Sequence, residues 1–456
     1  MKIMSIAGET FTEDLGGVTK KKRRISKKAA AKIISCCLLL CIIAAAIAVP
    51  VHFGGIRETR WAINGGKVQY PYVLVHGLGG WGEDDDINSS IKYWGADSCD
   101  IVASLKEKGY KVCAPGVGPF SSAWDRACEL YAQLSGGTVD YGEVHATAHR
   151  HARYGRSFST PLVENWGEKT NGGQRIKVNL VGHSFGGATI RLLASLLEYG
   201  SAAEMAAGGS TSALFTGGKG DWVNSVTTLC APHNGSSLTC IIDSLDSTLD
   251  LSRIMASISS ADFGLGGITE ALGGGYDFKL DQFGFDKTAG AKDVLPTFFS
   301  DSGTDNALYD LSPDGAKELN KTIQSVESVY YFSFAYSTTT PGALLSGQIP
   351  KAGTLTVLKP TAFAMGAYSG TSEGGIVIDE AWQENDGLVN VISAKAPFDE
   401  KSLDWTQELK EPERGVWYVA PKKSGDHGTV IGLNADAGAT LSFYTGHFAV
   451  IDALRR

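Results

Sequence analysis

Arg175-Ile-Lys-Val-Asn-Leu-Val-Gly-His-Ser184-Phe-Gly-Gly-Ala-Thr-Ile-Arg-Leu-Leu-Ala-Ser-Leu-Leu197 is the stretch that decides the fold. An apolar, strand-like run ends in a serine with a glycine two residues to either side, then passes directly into a helix-like run that carries Ile190, Leu193, Leu196 and Leu197 at core-facing spacing. A strand-to-helix turn this sharp requires glycine at 182 and 186, because the returning helix lies so close to the strand that a Cβ would clash. Ser184 is thereby held proud of the sheet. The helix N-terminus turns its free amides and the positive end of its dipole toward that position, which favours negative charge developing on an attacked carbonyl.

With 56 glycines in 456 residues, the five-residue pattern alone has little specificity. Gly370-Thr-Ser372-Glu-Gly374 also fits it, but no strand-like run precedes it and Ile-Val-Ile-Asp follows, which reads as strand; Ser372 is a loop serine on this reading. Tyr70-Pro-Tyr-Val-Leu-Val-His-Gly-Leu-Gly-Gly-Trp81 is a short buried strand opening into a glycine loop, and Leu78 is placed to offer a second backbone donor to an oxyanion. Helical character from Ser98 to Lys108 and strand character from Gly109 to Pro115 continue an alternation that predicts a mostly parallel sheet with helices on both faces.

A hydrophobic content of 43% and 20% charged residues describe a globular chain able to bury a large core. No linker or repeat divides it after residue 60, so residues 55–456 read as one domain. Nine of the Lys/Arg residues lie between Met1 and Pro50, leaving 32 basic against 46 acidic residues beyond, a balance that disfavours nucleic acid as a partner. Residues 1–54 form a leader: a basic run from Lys20 to Lys28, an uncharged stretch from Ile33 to Val49, and Ala46-Ile-Ala48 resembling a cleavage site. An export signal and an uncleaved membrane anchor both fit, and either puts the rest of the chain outside the cytoplasm. The five cysteines beyond the leader are odd in number and scattered, which is no disulfide framework; Cys113 and Cys230, within apolar runs, read as small buried hydrophobes.

Ser122-Ala-Trp-Asp125 opens a helix in capping-box fashion. Beyond it His145, His149 and His151 fall within seven residues, a density that suits a metal, zinc if carboxylates complete the set, as well as it suits solvated loop histidines. From Leu238 to Leu249 an amphipathic helix precedes a glycine-rich tract running to Gly275; it reads either as a mobile cover over an apolar site or as a fixed surface helix. Late in the chain Asp386 lies in a turn and His427 in a loop, so Ser184, Asp386 and His427 follow the chain order of an α/β-hydrolase triad. In those roles His427 takes the Ser184 proton and Asp386 fixes the imidazole tautomer. His233, directly after a proline in a turn, and His447, in a C-terminal helix, compete less well for the base.

Several blocks together carry a resemblance. They are Val75-His-Gly-Leu-Gly-Gly-Trp-Gly82, Lys92-Tyr-Trp-Gly95, Val117-Gly-Pro-Phe-Ser-Ser-Ala-Trp-Asp-Arg-Ala-Cys-Glu129, Gly136-Gly-Thr-Val-Asp-Tyr-Gly142, Tyr276-Asp-Phe-Lys-Leu-Asp-Gln-Phe-Gly284 and Glu384-Asn-Asp-Gly387. From about Tyr70 onward the chain resembles the secreted triacylglycerol lipases of Gram-positive bacteria, the staphylococcal and Geobacillus type with a zinc-bearing insertion. The resemblance implies an α/β-hydrolase fold with a helical lid and an extracellular serine hydrolase acting on triacylglycerol esters at an oil–water interface. An esterase or acyltransferase on other acyl esters, and a non-catalytic hydrolase-fold binding protein, are the alternatives. By the same resemblance Leu78 and Phe185 supply the oxyanion-hole amides, and Asp125, His145, His151 and Asp243 hold a structural zinc ion, with His149 a bystander. The family's calcium-site carboxylates are replaced here by Thr429, Asn434 and Ala435, which removes the charge a hard cation needs and speaks against calcium at that place.

Overall fold

The computed structural model describes residues 70–454 apart from 97, 209–210, 246–275, 288, 343–346 and 406–411. The expected leader and the part of the expected lid beyond Leu245 lie outside the described residues.

Seven strands build one sheet: β1 (Tyr72–Val75), β2 (Val112–Cys113), β3 (Val178–His183), β4 (Val223–Leu229), β5 (Tyr330–Phe334), β6 (Ser402–Asp404) and β7 (Trp417–Val419). They lie in the order β6-β7-β5-β4-β3-β1-β2, and every pairing is parallel. Parallel neighbours need crossover connections, which the helices α1 (Ile101–Glu107), α2 (Ala123–Ser135), α3 (Glu143–His149), α4 (Gly186–Tyr199), α5 (Ser237–Leu245) and α6 (Lys359–Ala367) help to make, while α7 (Ala437–Ala453) follows the last strand.

Period-two alternation on β1 assigns the two faces. Tyr72 and Leu74 pack with Ile101 of α1 and Phe448 of α7, the Tyr72 and Phe448 rings stacking at 3.6 Å between centroids. Val73 and Val75 point the other way, into the cluster that holds Leu130 of α2 and Ile190 of α4. Both faces are therefore covered, which is why β3 and β4 are buried along their whole length rather than alternating between buried and exposed positions. The architecture is the mostly parallel α/β sheet with helices on both faces that the sequence predicts.

Between α2 and β3 the chain makes an insertion: an antiparallel hairpin, Gly137–Asp140 with Tyr154–Phe158, enclosing α3. Ser122 caps α2 by accepting the Asp125 N–H at 3.3 Å, a contact of a kind that contributes about 1 kcal/mol. The cap starts the helix so that Asp125, fully buried in its first turn, faces the insertion.

Where β3 turns into α4, the two glycines predicted to be obligatory are so in space. A Cβ on Gly186 would sit 2.2 Å from the Val75 carbonyl oxygen, and one on Gly182 would sit 2.4 Å from the Gly186 carbonyl oxygen. Both obstacles are backbone and cannot swing aside. Gly186→Ala is therefore expected to cost at least about 1–3 kcal/mol, measured as a fall in the denaturant midpoint at unchanged slope; an unshifted midpoint would refute this close apposition.

Candidate active site

The chain runs from β1 outward to β2 and then returns to place β3 on the other side of β1, so the loops after β1 and β3 leave the sheet at its topological switch point, where doubly wound sheets bind ligands. Leu78 lies in the loop after β1, and Ser184 directly follows β3. Ser184 has φ +55°, a left-handed conformation that costs a non-glycine residue about 1–3 kcal/mol. Its surroundings enforce it: the Ser184 N–H donates to the Leu229 carbonyl at 2.8 Å, and the Ser184 carbonyl accepts from Gly187 N–H at 2.9 Å. The side chain opens onto a cavity with apolar walls, among them Leu78, Leu238, Ile242, Leu308, Leu355 and Leu388.

His427, from the loop after β7, lines the same cavity. Its Nδ1 is 2.8 Å from Asp386 Oδ2, and its backbone N–H donates to the Asp386 carbonyl at 2.9 Å. The Asp386 carboxylate also accepts the Leu388 and Val389 N–H groups at 3.0 and 2.8 Å, which locks its orientation. With Nδ1 donating to a carboxylate, Nε2 of His427 is the basic nitrogen of the neutral ring. The Leu78 and Phe185 backbone N–H groups find no acceptor among the described residues, the second lying at the N-cap of α4. His233 and His447 are buried against Thr228 and Thr227 respectively, and neither lines this cavity. Ser372 is a loop residue whose hydroxyl donates to Asp314 at 2.5 Å, the structural role predicted for it.

Three residues of this neighbourhood had no site role in the sequence reading, Cys230 being read as a small buried hydrophobe and Tyr93 and His183 not singled out. Cys230, with φ +53°, puts its sulfur within 4.8 Å of the Asp386 and His427 side chains; burial first, then the Asp386 carboxylate, hold its thiol well above the ordinary range, so it stays a neutral S–H. Tyr93 and His183 are joined at 2.7 Å beneath the loop after β1. A tyrosine in Lys-Tyr-Trp-Gly and a histidine between glycine and serine carry no spacing signal for such a contact.

A second constellation lies where the insertion meets α2 and a later turn. Asp125, His145, His151 and Asp305 each present one ligand atom, all within 4.8 Å of one another. His145 Nε2 is 3.2 Å from Asp125 Oδ1 and 3.4 Å from Asp305 Oδ1, while His151 Nε2 is 3.4 Å from Asp305 Oδ2 and 3.9 Å from Asp125 Oδ1. A tetrahedral ion bonded at ~2.0–2.1 Å sets its ligands roughly 3.3 Å apart, so the cluster fits one. Buried and without hydrogen-bond partners, His151 Nε2 and both Asp305 carboxylate oxygens supply the chemical argument, because such atoms are costly unless something binds them. Outer contacts complete the fit: His151 Nδ1 donates to the Ala152 carbonyl at 2.9 Å, leaving Nε2 to face inward, and Gln282 Nε2 donates to Asp125 Oδ2 at 2.7 Å. Burial works to lower the His145 pKa, yet the Asp125 and Asp305 carboxylates that face its ring raise it to about 10; a bound cation would take the place of that proton.

This corrects one member of the expected ligand set. Asp305 occupies the place assigned to Asp243, which lies on α5; the Asp243 side chain is outside the described residues. Asp305 sits in the turn just before Asn306 caps the helix Ala307–Leu311, and the Ala307 N–H bonds the Phe120 carbonyl at 2.9 Å, which carries that turn up to the start of α2. An aspartate in a Thr-Asp-Asn turn gives no sequence sign of a ligand. The described part of α5 packs by Leu238 and Ile241 on Met365 of α6, and Ile242 lines the cavity, so this segment forms a wall of the site.

A serine turn at the switch point of such a sheet is the construction of the α/β-hydrolase class. Within it the chain belongs to the family described as "Lipase-like, C-terminal domain", which residues 68–442 match. It is similar to Lipase 2 of Staphylococcus aureus (strain N315), at 34% identity over 396 residues, 83% of this chain and 53% of the relative. The chain thus spans about half the length of the curated relatives it matches. Among solved structures it resembles lipase 1 from Pelosinus fermentans, with 36% identity, a TM-score of 0.71 and coverage of 85% of this chain and 100% of that one. It also resembles EstA from Clostridium botulinum, with 33% identity, a TM-score of 0.74 and coverage of 91% and 97%.

Loss of the ion should therefore follow Asp305→Ala, seen as metal absent by elemental analysis and a lowered melting temperature, whereas Asp243→Ala should keep it. Gln282→Ala, which removes only an outer contact, should weaken metal affinity about 10-fold to 100-fold. Full metal retention in Asp305→Ala would overturn the corrected set.

Proposed function

We propose that this chain is a triacylglycerol lipase, an extracellular serine hydrolase that cleaves the carboxylic esters of water-insoluble glycerides through an acyl-enzyme. The observation that carries the reading is a single one: a strained serine and a histidine already bonded to a buried aspartate open onto the same apolar cavity. Apolar walls suit an acyl chain, and they lower the local dielectric in which charge must develop.

In this reading Ser184 Oγ attacks the ester carbonyl carbon as His427 Nε2 takes its proton, and Asp386 stabilises the imidazolium that forms. The carbonyl oxygen, now negative, accepts the otherwise unengaged N–H groups of Leu78 and Phe185. Collapse breaks the bond to the glyceride oxygen, which leaves with the proton from His427. Water, deprotonated by His427, then attacks the acyl-serine, and the fatty acid departs as Ser184 recovers its proton.

The insertion's ion is zinc on this reading, since two imidazoles and two carboxylates suit it, and four protein ligands leave no open position for a reacting water. Its role is structural: it ties α2, α3 and the turn at Asp305 together near one wall of the cavity. Residues 55–456 act as one hydrolase domain behind an exported leader of residues 1–54.

Ser184→Ala should abolish ester hydrolysis while leaving the melting temperature near that of the parent. Asp386→Asn and His427→Ala should each lower kcat roughly 10³-fold to 10⁶-fold. Turnover of tributyrin and of a long-chain triglyceride emulsion measures all three. Activity surviving in Ser184→Ala would sink the mechanism, and turnover confined to dissolved short esters would replace lipase with esterase.

A further inference from the structure

Beneath the proposed oxyanion donor runs a chain of three buried hydrogen bonds. The Gly77 N–H donates to the Tyr93 hydroxyl oxygen at 2.7 Å, the Tyr93 hydroxyl is 2.7 Å from His183 Nδ1, and His183 Nε2 is 3.0 Å from the His427 carbonyl oxygen. Its direction follows from chemistry. A carbonyl can only accept, so His183 carries its proton on Nε2 and offers the Nδ1 lone pair; the phenol must donate to that lone pair, and its oxygen is left to accept from Gly77. Each donor meets one acceptor. The loop after β1 also lies close against the ring: a Cβ on Gly80 would sit 2.6 Å from Tyr93 Cε2.

We propose that Tyr93 is a positioning residue for ester hydrolysis, its hydroxyl fixing the loop that carries the Leu78 N–H at a set distance from the loop that carries His427, with His183 as the link. The proposal rests on the roles given above to Ser184, His427 and Leu78. Gly77 is the residue before Leu78, so a shift of its N–H turns the next peptide, whose N–H must meet the oxyanion. His427 is held at both ends, its ring by Asp386 and its carbonyl by His183. Burial, then the neighbouring His427, keep the His183 pKa well below the ordinary value, so His183 remains a neutral link when His427 is protonated. The group that transfers protons and the group that holds it are thus kept chemically distinct.

Tyr93→Phe removes one oxygen and preserves the ring that packs on Trp81, Trp94 and His183. Measured per active site by titration with a serine-directed phosphonate, its kcat on p-nitrophenyl butyrate should fall roughly 10-fold to 100-fold, with KM within about twofold. Binding of an alkyl boronic acid, which mimics the tetrahedral state, should weaken in proportion to kcat/KM. His183→Leu should lose a similar factor, His183→Gln, whose amide can both donate and accept, should lose less, and the Tyr93→Phe/His183→Leu pair should lose less than the product of the two single losses. A parental kcat and boronate affinity per titrated site in Tyr93→Phe would overturn the proposal, as would losses that multiply in the pair. Ser184→Ala separates the two levels: activity surviving there fails the catalytic reading itself, whereas an inactive Ser184→Ala beside a fully active Tyr93→Phe fails only the positioning role.

Discussion

The closeness of β1, β3 and α4 is the constraint on which the rest of the molecule depends. At the turn the Gly186 Cα lies against the Val75 carbonyl with no room for a methyl group, and Ser184 is forced into a left-handed conformation in consequence. A strain of about 1–3 kcal/mol is small against the burial of β3, β4 and α4 that surrounds it, so the fold can sustain it. What the strain secures is direction. The serine projects from the end of the sheet into a cavity, and the first free amide of α4 lies beside it.

Everything else in the site is a matter of bringing other loops to that point. Leu78 follows β1, Asp386 lies in the long connection between β5 and β6, and His427 follows β7, so no two of these segments are neighbours in sequence. Rigidity is supplied by buried hydrogen bonds rather than by packing alone. Arg126 shows how densely: fully buried, its guanidinium donates to the Gly118 carbonyl at 2.7 Å, to Thr189 Oγ1 at 2.8 Å and to the His76 carbonyl. It joins the loops after β1 and β2 to α4, and removal of so buried a charge's partners would be costly. The acidic and imidazole cluster of the insertion applies the same logic with stronger fields, since two carboxylates there face two imidazoles inside protein.

The expected alternation of strands and helices, the serine turn and the later Asp and His were legible because each rests on short-range physics: the continuous apolar run of β1, glycine two residues either side of Ser184, turn-forming Asn385-Asp386-Gly387. Bounds were less so. The run from Gly109 to Pro115 pairs only over Val112–Cys113, because beyond it Ala114 gives its N–H to the Glu83 carboxylate and its carbonyl accepts the Glu83 N–H. Asp125 could be read as the start of a helix from Ser122, and the structure shows that cap.

By itself, then, the sequence determined the class of sheet, the position of the serine turn and most of the residues that the structure brings together in the two clusters, since local geometry and residue type suffice for these. Only the tertiary structure decided which carboxylate joins Asp125, His145 and His151. Asp305 does so because the turn before Asn306 is carried to the start of α2, where the Ala123 N–H bonds Asp310 across 187 residues of chain. The same holds for the link from Tyr93 to His183, 90 residues apart, and from His183 to His427, 244 apart. Contacts of that range depend on how crossovers stack loops at one end of a sheet. No periodicity or spacing encodes them, because the atoms that meet belong to segments whose local conformations are each satisfied independently of the meeting.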